Sequence, residues 1–283
     1  MILDDLAEST RIRIEKQKLL VAPEVLREQA EKIRADELLQ ADAAGAQLAE
    51  PAGGGMSATQ VAFPFEKALA KEGLSVIAEV KKASPSKGVI AEDFPYREIA
   101  EEYEAAGADA ISCLTEPERF RGNDRYLREI AAERQIPILR KDFTVDPYMI
   151  YQAKVMGASA VLLIAAILSD EELKSYFEIA DSLGLSCLFE AHDAEEVKRC
   201  LAAGARILGV NNRNLKDFSV DITNSIRLRD MVPSDILFVS ESGIATPADV
   251  HILKQNGTDA VLVGEMLMRS SDKTALITEM KKV

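Results

Sequence analysis

Apolar residues along this chain come in short blocks, and several blocks follow a glycine. Gly107, Gly157, Gly204 and Gly257 each close an amphipathic stretch and open a short apolar run. Each stands where a helix would end in the left-handed conformation that glycine adopts most cheaply. Runs of this kind fall at about 75–80, 109–114, 137–141, 160–164, 186–190, 207–211, 236–241 and 260–263. They are largely apolar rather than strictly alternating, as parallel strands covered on both faces should be. They recur roughly every 26 residues, which leaves room for one helix between each pair. Eight strands with eight crossovers predict an α/β fold, the (β/α)8 barrel. A doubly wound sheet is the alternative, but its dinucleotide-binding form favours a G-x-G-x-x-G turn that this chain lacks.

Residues 1–72 precede the first strand and read as an N-terminal helical extension of a single barrel domain spanning 1–283. The pattern predicts one helix over 3–20 and a second from Pro23 to about 48, then a loop rich in Ala and Gly near 44–60. The apolar positions of the helices need a partner surface. They are expected to pack on the barrel and complete a pocket beside Phe143 and Leu215.

Composition narrows the function. The net charge of −13 argues against binding to nucleic acid, whose phosphates call for an excess of Lys and Arg. No apolar run reaches the roughly 18 residues of a membrane span, and the acidic Met1–Thr10 segment does not read as a signal peptide. Cys113, Cys187 and Cys200 form an odd set without C-x-x-C spacing, which predicts packing residues in a reducing cytoplasm. His192 and His251 have no metal-ligand spacing, and no metal, flavin or nicotinamide motif is present. His251 is expected on a helix surface. His192, two residues past Glu190, is placed to orient a neighbour.

The active site of such a barrel lies at the C-terminal ends of its strands. Glu79 and Lys81 are two apart at the end of the first strand, so they share a face, and a Ser84-Pro85-Ser86 loop follows. Lys141 and Phe143 share a face at the end of the third strand. Glu190 ends the fifth, Asn211 and Arg213 the sixth, Glu241-Ser242-Gly243 the seventh and Gly264-Glu265 the eighth. So many polar groups cannot all point into a dry core unpaired. Gly243 before a helix with Thr246 as cap and Pro247 as first residue, and Gly264 before a possible short helix, would offer backbone amides to a phosphate.

Four motifs resemble the indole-3-glycerol-phosphate synthase family of tryptophan biosynthesis. They run from Ile77 to Gly88, from Leu139 to Phe143, from Gly209 to Leu215 and from Ser240 to Gly243, and the resemblance covers about 63–269. The Ile2-Leu3-Asp4-Asp5 opening fits as well. It implies closure of the indole ring of 1-(2-carboxyphenylamino)-1-deoxyribulose 5-phosphate, with loss of CO2 and water and without a cofactor. Its catalytic positions match Glu79, Lys81, Lys141, Glu190, Asn211 and Ser242. Positions around the substrate and its phosphate match Ser84, Arg213, Gly243, Gly264 and Glu265, and the aromatic pocket matches Phe143, Leu162 and Leu215. The implied partner is a small phosphorylated aromatic substrate, with association to other tryptophan-pathway enzymes left open.

In that chemistry an acid must protonate the ketone that the ring carbon attacks. Lys141 is the first choice and Lys81 the second, with a pKa expected to be lowered by burial and by neighbouring cations. Glu190 and the remaining lysine suit the dehydration. Two departures stand out: the segment 36–60 is long and rich in Ala and Gly, and Glu190-Ala191-His192 replaces a commoner Glu-Val-His. A sugar-phosphate isomerase and a catalytically silent barrel are the competing readings. The first lacks a Cys/Asp acid–base pair at the strand ends; the second is at odds with intact Lys81, Lys141 and Glu190.

Overall fold

The eight apolar runs form eight parallel strands: β1 Ser75–Val80, β2 Ala110–Leu114, β3 Ile138–Lys141, β4 Ala160–Ile164, β5 Ser186–Ala191, β6 Ile207–Asn211, β7 Leu237–Glu241 and β8 Ala260–Val263. Each pairs with its sequence neighbours, and β1 closes on β8, giving the expected closed barrel. This computed structural model describes residues 2–43, 63–214 and 218–282. The loop expected near 44–60 and Leu215 therefore lie outside the described residues.

Alternation divides each strand between two cores. Val76, Ala78 and Val80 face the helical layer, while Ile77 joins Ala110, Leu139, Leu188, Ile207, Val239 and Ala260 inside the barrel. The helices between strands include α4 Tyr96–Ala105, α5 Asp124–Glu133, α6 Pro147–Val155, α7 Asp170–Ser182, α8 Ala194–Ala202, α9 Thr223–Arg229 and α10 Pro247–Gln255, and α11 Glu265–Arg269 follows β8. Side-chain caps start several of them, among them Thr246, which forms a capping box with Asp249 ahead of Pro247. The four glycines expected to end helices all have φ between +83° and +95°. Cys113, Cys187 and Cys200 are buried and unbridged, and His251 is exposed on α10. Among the described residues no helix is long and apolar enough to cross a membrane.

The extension divides its work. Its first helix, α1 Ile2–Lys18, carries Leu3 and Leu6 into the interior cluster that holds Phe143. The second, α2 Pro23–Ala43, lies along α6, where Glu37 pairs with Lys154 at 2.7 Å. The third, α3 Pro64–Leu69, contributes Phe65 and Leu69 to the same interior cluster. So α1 alone of the first two helices meets the mouth.

A charge network anchors α1. Arg13 donates from Nη2 to both oxygens of Asp142, at 2.8 and 2.9 Å. Thr115 donates to the same carboxylate at 2.6 Å, and the fully buried Arg140 donates to Thr115 and to Asp124. Burial alone would raise the Asp142 pKa, but Arg13 and Arg140 outweigh it and hold it below the usual range. Removing one partner of a buried pair costs about 3–5 kcal/mol. Arg13→Met should sit near the low end, because Thr115 and Arg140 still face the carboxylate. The urea midpoint should fall, and an unchanged midpoint would show that the pair contributes nothing to stability.

Candidate active site

The inward face of each strand continues past the apolar interior into polar residues. Leu139 is followed two residues on by Lys141, Leu188 by Glu190, and Val239 by Glu241. These groups floor a cavity of about 730 Å3 at the C-terminal end of the barrel, within the usual range for a small-molecule site. Thirteen of the fourteen expected site residues line it: Glu79, Lys81, Ser84, Lys141, Phe143, Leu162, Glu190, Asn211, Arg213, Ser242, Gly243, Gly264 and Glu265.

Lys141 is the hub. Its Nζ donates to Glu190 Oε2 at 2.8 Å and to Glu241 Oε2 at 3.0 Å. Asn211 Nδ2 donates to Glu190 Oε1 at 3.1 Å. Glu79 and Lys81 form their own ion pair alongside. Burial disfavours the charge on Lys141, but Glu190, Glu241 and Glu79 outweigh it, so its pKa is raised. This reverses the expected lowering: the neighbours are carboxylates rather than cations. Burial also pushes on Glu190, yet Lys141 and His192 hold its pKa down to about 2. Glu241 goes the other way. Burial and the charge of Glu190 prevail over Lys141 and raise it to about 7, and its Oε1 is buried without a hydrogen-bond partner among the described residues.

The loops are fixed by their own hydrogen bonds. Ala83–Ser84 and Gly88–Val89 form a small antiparallel hairpin that presents Ser84. Ser242 and Gly243 turn away from β7 with φ of 66° and 82°, a left-handed backbone that is costly for serine. Buried Asn212 holds that turn by donating to Ser240 Oγ at 3.0 Å and to the Ser242 carbonyl at 3.1 Å. The Glu265 side chain is drawn off to Lys87 and Arg269, which leaves the backbone side of Gly264-Glu265 facing the cavity.

An apolar wall stands opposite these charges, built from Phe143, Leu162, Ile164, Phe120, Leu3 and Leu6. Glu116 orders the loop beneath Phe120 by accepting from the amides of Glu118, Arg119 and Phe120 at 2.8–2.9 Å. The Phe120 and Phe143 rings lie 6.2 Å apart. Sequence reasoning assigned no role to Glu241, Glu116, Phe120, Leu3 or Leu6. Glu241 had a readable signal, the inward alternation with Val239. Leu3 and Leu6 had the three-residue spacing of one helix face. Glu116 and Phe120 lie in a loop with no such periodicity.

A family model described as indole-3-glycerol phosphate synthase matches residues 24–280. The indole-3-glycerol phosphate synthase of Ruminiclostridium cellulolyticum is 52% identical over 99% of both chains. That of Leuconostoc mesenteroides is 56% identical over 77% of this chain and 84% of its own. Among solved structures, 3-hexulose-6-phosphate synthase from Salmonella typhimurium superposes with a TM-score of 0.61 at 14% identity, covering 74% of this chain and 97% of that one, a likeness of fold.

Glycine at 264 keeps the mouth open. A Cβ there would collide with Glu79 Oε1 and come within 2.7 Å of Lys81 Nζ. Gly264→Val should therefore displace that ion pair and block an anion from the backbone, with the fold intact by circular dichroism. KM should rise about tenfold or more, equivalent to about 1.4 kcal/mol. Unchanged affinity for substrate and for inorganic phosphate would show that no anion rests against this backbone.

Proposed function

This chain belongs to the indole-3-glycerol phosphate synthase family, and we propose that its barrel mouth closes the indole ring of 1-(2-carboxyphenylamino)-1-deoxyribulose 5-phosphate with Lys141 as the general acid. Its product is indole-3-glycerol phosphate, an intermediate of tryptophan biosynthesis. The observation that carries the reading is Lys141 itself, a cation held between Glu190 and Glu241 beside an apolar wall that includes Phe143 and Leu162. The three cysteines, buried and free, suit a reducing cytoplasm.

The aromatic ring stacks against that wall. The phosphate lies at the other end, against the Gly243 and Gly264 turns, Ser84 and Arg213. Between the two ends, the ring carbon that bears the carboxylate attacks the ketone carbon. Lys141 donates its Nζ proton as negative charge grows on the ketone oxygen. Flanking carboxylates keep that proton in place until the oxygen demands it. A new C–C bond now joins ring and side chain, and the C–C bond to the carboxylate breaks. CO2 leaves because its electron pair restores the aromatic ring.

Dehydration follows. An acid protonates the departing hydroxyl and a base removes a proton to complete the pyrrole ring. Glu190 and Lys81 take these parts, and Ser242 and Asn211 steady the groups around them. Glu241, with its pKa near neutrality, can hold or release the proton that passes among them. Every step is a proton transfer, a C–C bond change or loss of water, so none calls for a redox cofactor.

Kinetics can test the assignment directly. The chain has no Trp, so indole fluorescence reports product without a tryptophan background. The purified protein should generate that signal from the carboxyphenylamino substrate. Lys141→Met should lower kcat by roughly 10²–10⁴-fold, the usual contribution of a general acid, with KM little changed. Near-normal turnover in the variant would remove Lys141 from the mechanism.

A further inference from the structure

His192 follows Glu190 by two residues and has no part in the steps above. Its surroundings are built. The ring Nδ1 stands 3.0 Å from Glu196 Oε2, and the backbone N–H of His192 donates to the same oxygen at 2.7 Å. Asn224 Nδ2 donates to the His192 carbonyl at 3.0 Å. The other ring nitrogen, Nε2, is buried and has no hydrogen-bond partner among the described residues. It stands 3.4 Å from Glu190 Oε1.

A neutral ring suits this position poorly. With Nδ1–H given to Glu196, the Nε2 lone pair would face a carboxylate, and a buried ring nitrogen left unpaired costs free energy. An imidazolium has a donor on each nitrogen and meets both carboxylates. The charged groups facing the ring are Glu190 near the end of β5, Glu196 on α8 and Glu241 on β7, with Lys141 of β3 beyond Glu190.

We propose that His192 is a positioning residue for Glu190: tethered by Glu196, its imidazolium turns Nε2–H toward Glu190 Oε1 and so fixes the carboxylate whose Oε2 contacts Lys141. Asn211 supplies the second contact to Oε1 at 3.1 Å. The carboxylate is thus held at both oxygens, and its orientation toward the reacting carbon no longer depends on the substrate. The inference rests on the reading of Glu190 as an acid–base group.

The sign of its pH dependence follows from the charges. Burial lowers the His192 pKa, but Glu196, Glu190 and Glu241 outweigh it and raise it above the ordinary histidine value. The positioning form therefore persists to higher pH than in a free imidazole and is lost as pH rises through the raised pKa.

Two measurements test this. The chain has two histidines, so His251→Asn assigns the imidazole signals of the 15N-labelled protein. His192 should carry protons on both ring nitrogens at pH 7, and Glu196→Gln should lower its pKa. A neutral His192 at pH 7 would overturn the proposal without touching the mechanism. In kinetics, His192→Phe should lower kcat about tenfold or more while KM stays within about twofold. It should also remove the fall of kcat that tracks the His192 titration, leaving only the fall at higher pH from the lysines. His192→Gln, which can donate to Glu190 but does not titrate, should restore part of kcat with that fall still absent. Wild-type kcat and pH profile in His192→Phe would overturn the proposal. Should that variant fail to fold, the Glu196→Gln titration and the His192→Gln profile decide the matter. Wild-type turnover in Glu190→Gln would instead overturn the reading on which the proposal rests.

Discussion

A buried ammonium group cannot stand alone, and the mouth of this barrel is organised around that constraint. Taking a charge out of water costs several kcal/mol even after relaxation. Lys141 is nearly buried, and it stays charged because Glu190 and Glu241 reach it from the inward faces of β5 and β7, at 2.8 and 3.0 Å. Two carboxylates facing one ammonium leave an excess negative charge. The least stabilised carboxyl relieves it by taking a proton near neutrality, and that group is Glu241. The triad therefore holds an exchangeable proton on a buried carboxyl near neutral pH. Space for it comes from the strands: a Cβ on Gly209, directly beside Glu190 in the ladder, would collide with Glu241 Oε1.

Much of this was legible in the sequence because barrel strands are covered on both faces. A strand buried on both sides leaves a continuous apolar run, and all eight runs were strands, with boundaries shifted by a residue at several ends. The helix-ending glycines were legible for the same local reason, since only the residue itself decides whether a left-handed turn is cheap. Charged residues at strand ends were legible as a set, because their side chains have no apolar role. What they do to one another was not. The pKa of Lys141 depends on which groups lie across the barrel, and that follows from the stagger of the strands rather than from any local pattern. In sequence Lys141 follows Arg140; closure of the barrel sets Glu190 and Glu241 against its ammonium.

The extension shows the same limit. Two amphipathic helices were evident and were expected beside the pocket at Phe143, but which of them reaches it was not. The first reaches the mouth and the second rests on α6. Arg13 and Asp142 lie 129 residues apart, and nothing in the neighbourhood of either marks the other as its partner. An arginine within a helix and an aspartate after a lysine are unremarkable taken singly. They become a buried pair only once α1 is laid across the end of β3.

The tripeptide Lys141-Asp142-Phe143 ties these levels together. Lys141 and Phe143 both line the cavity, while the Asp142 carboxylate between them is buried against Arg13. The inward pair meets the ion triad and the apolar wall. The Asp142 carboxylate meets Arg13, Thr115 and Arg140, and accepts the amide of Phe143 at 2.9 Å. One short segment thus fixes both the reacting cation and the helix that carries Leu3 and Leu6 over the same cavity. A shift of α1 would disturb Asp142 first, and through the backbone it would reach Lys141 and Phe143 together. The wall that receives an aromatic ring and the ammonium beside it are in this way held in one mutual geometry, which is what a ring closure between them requires.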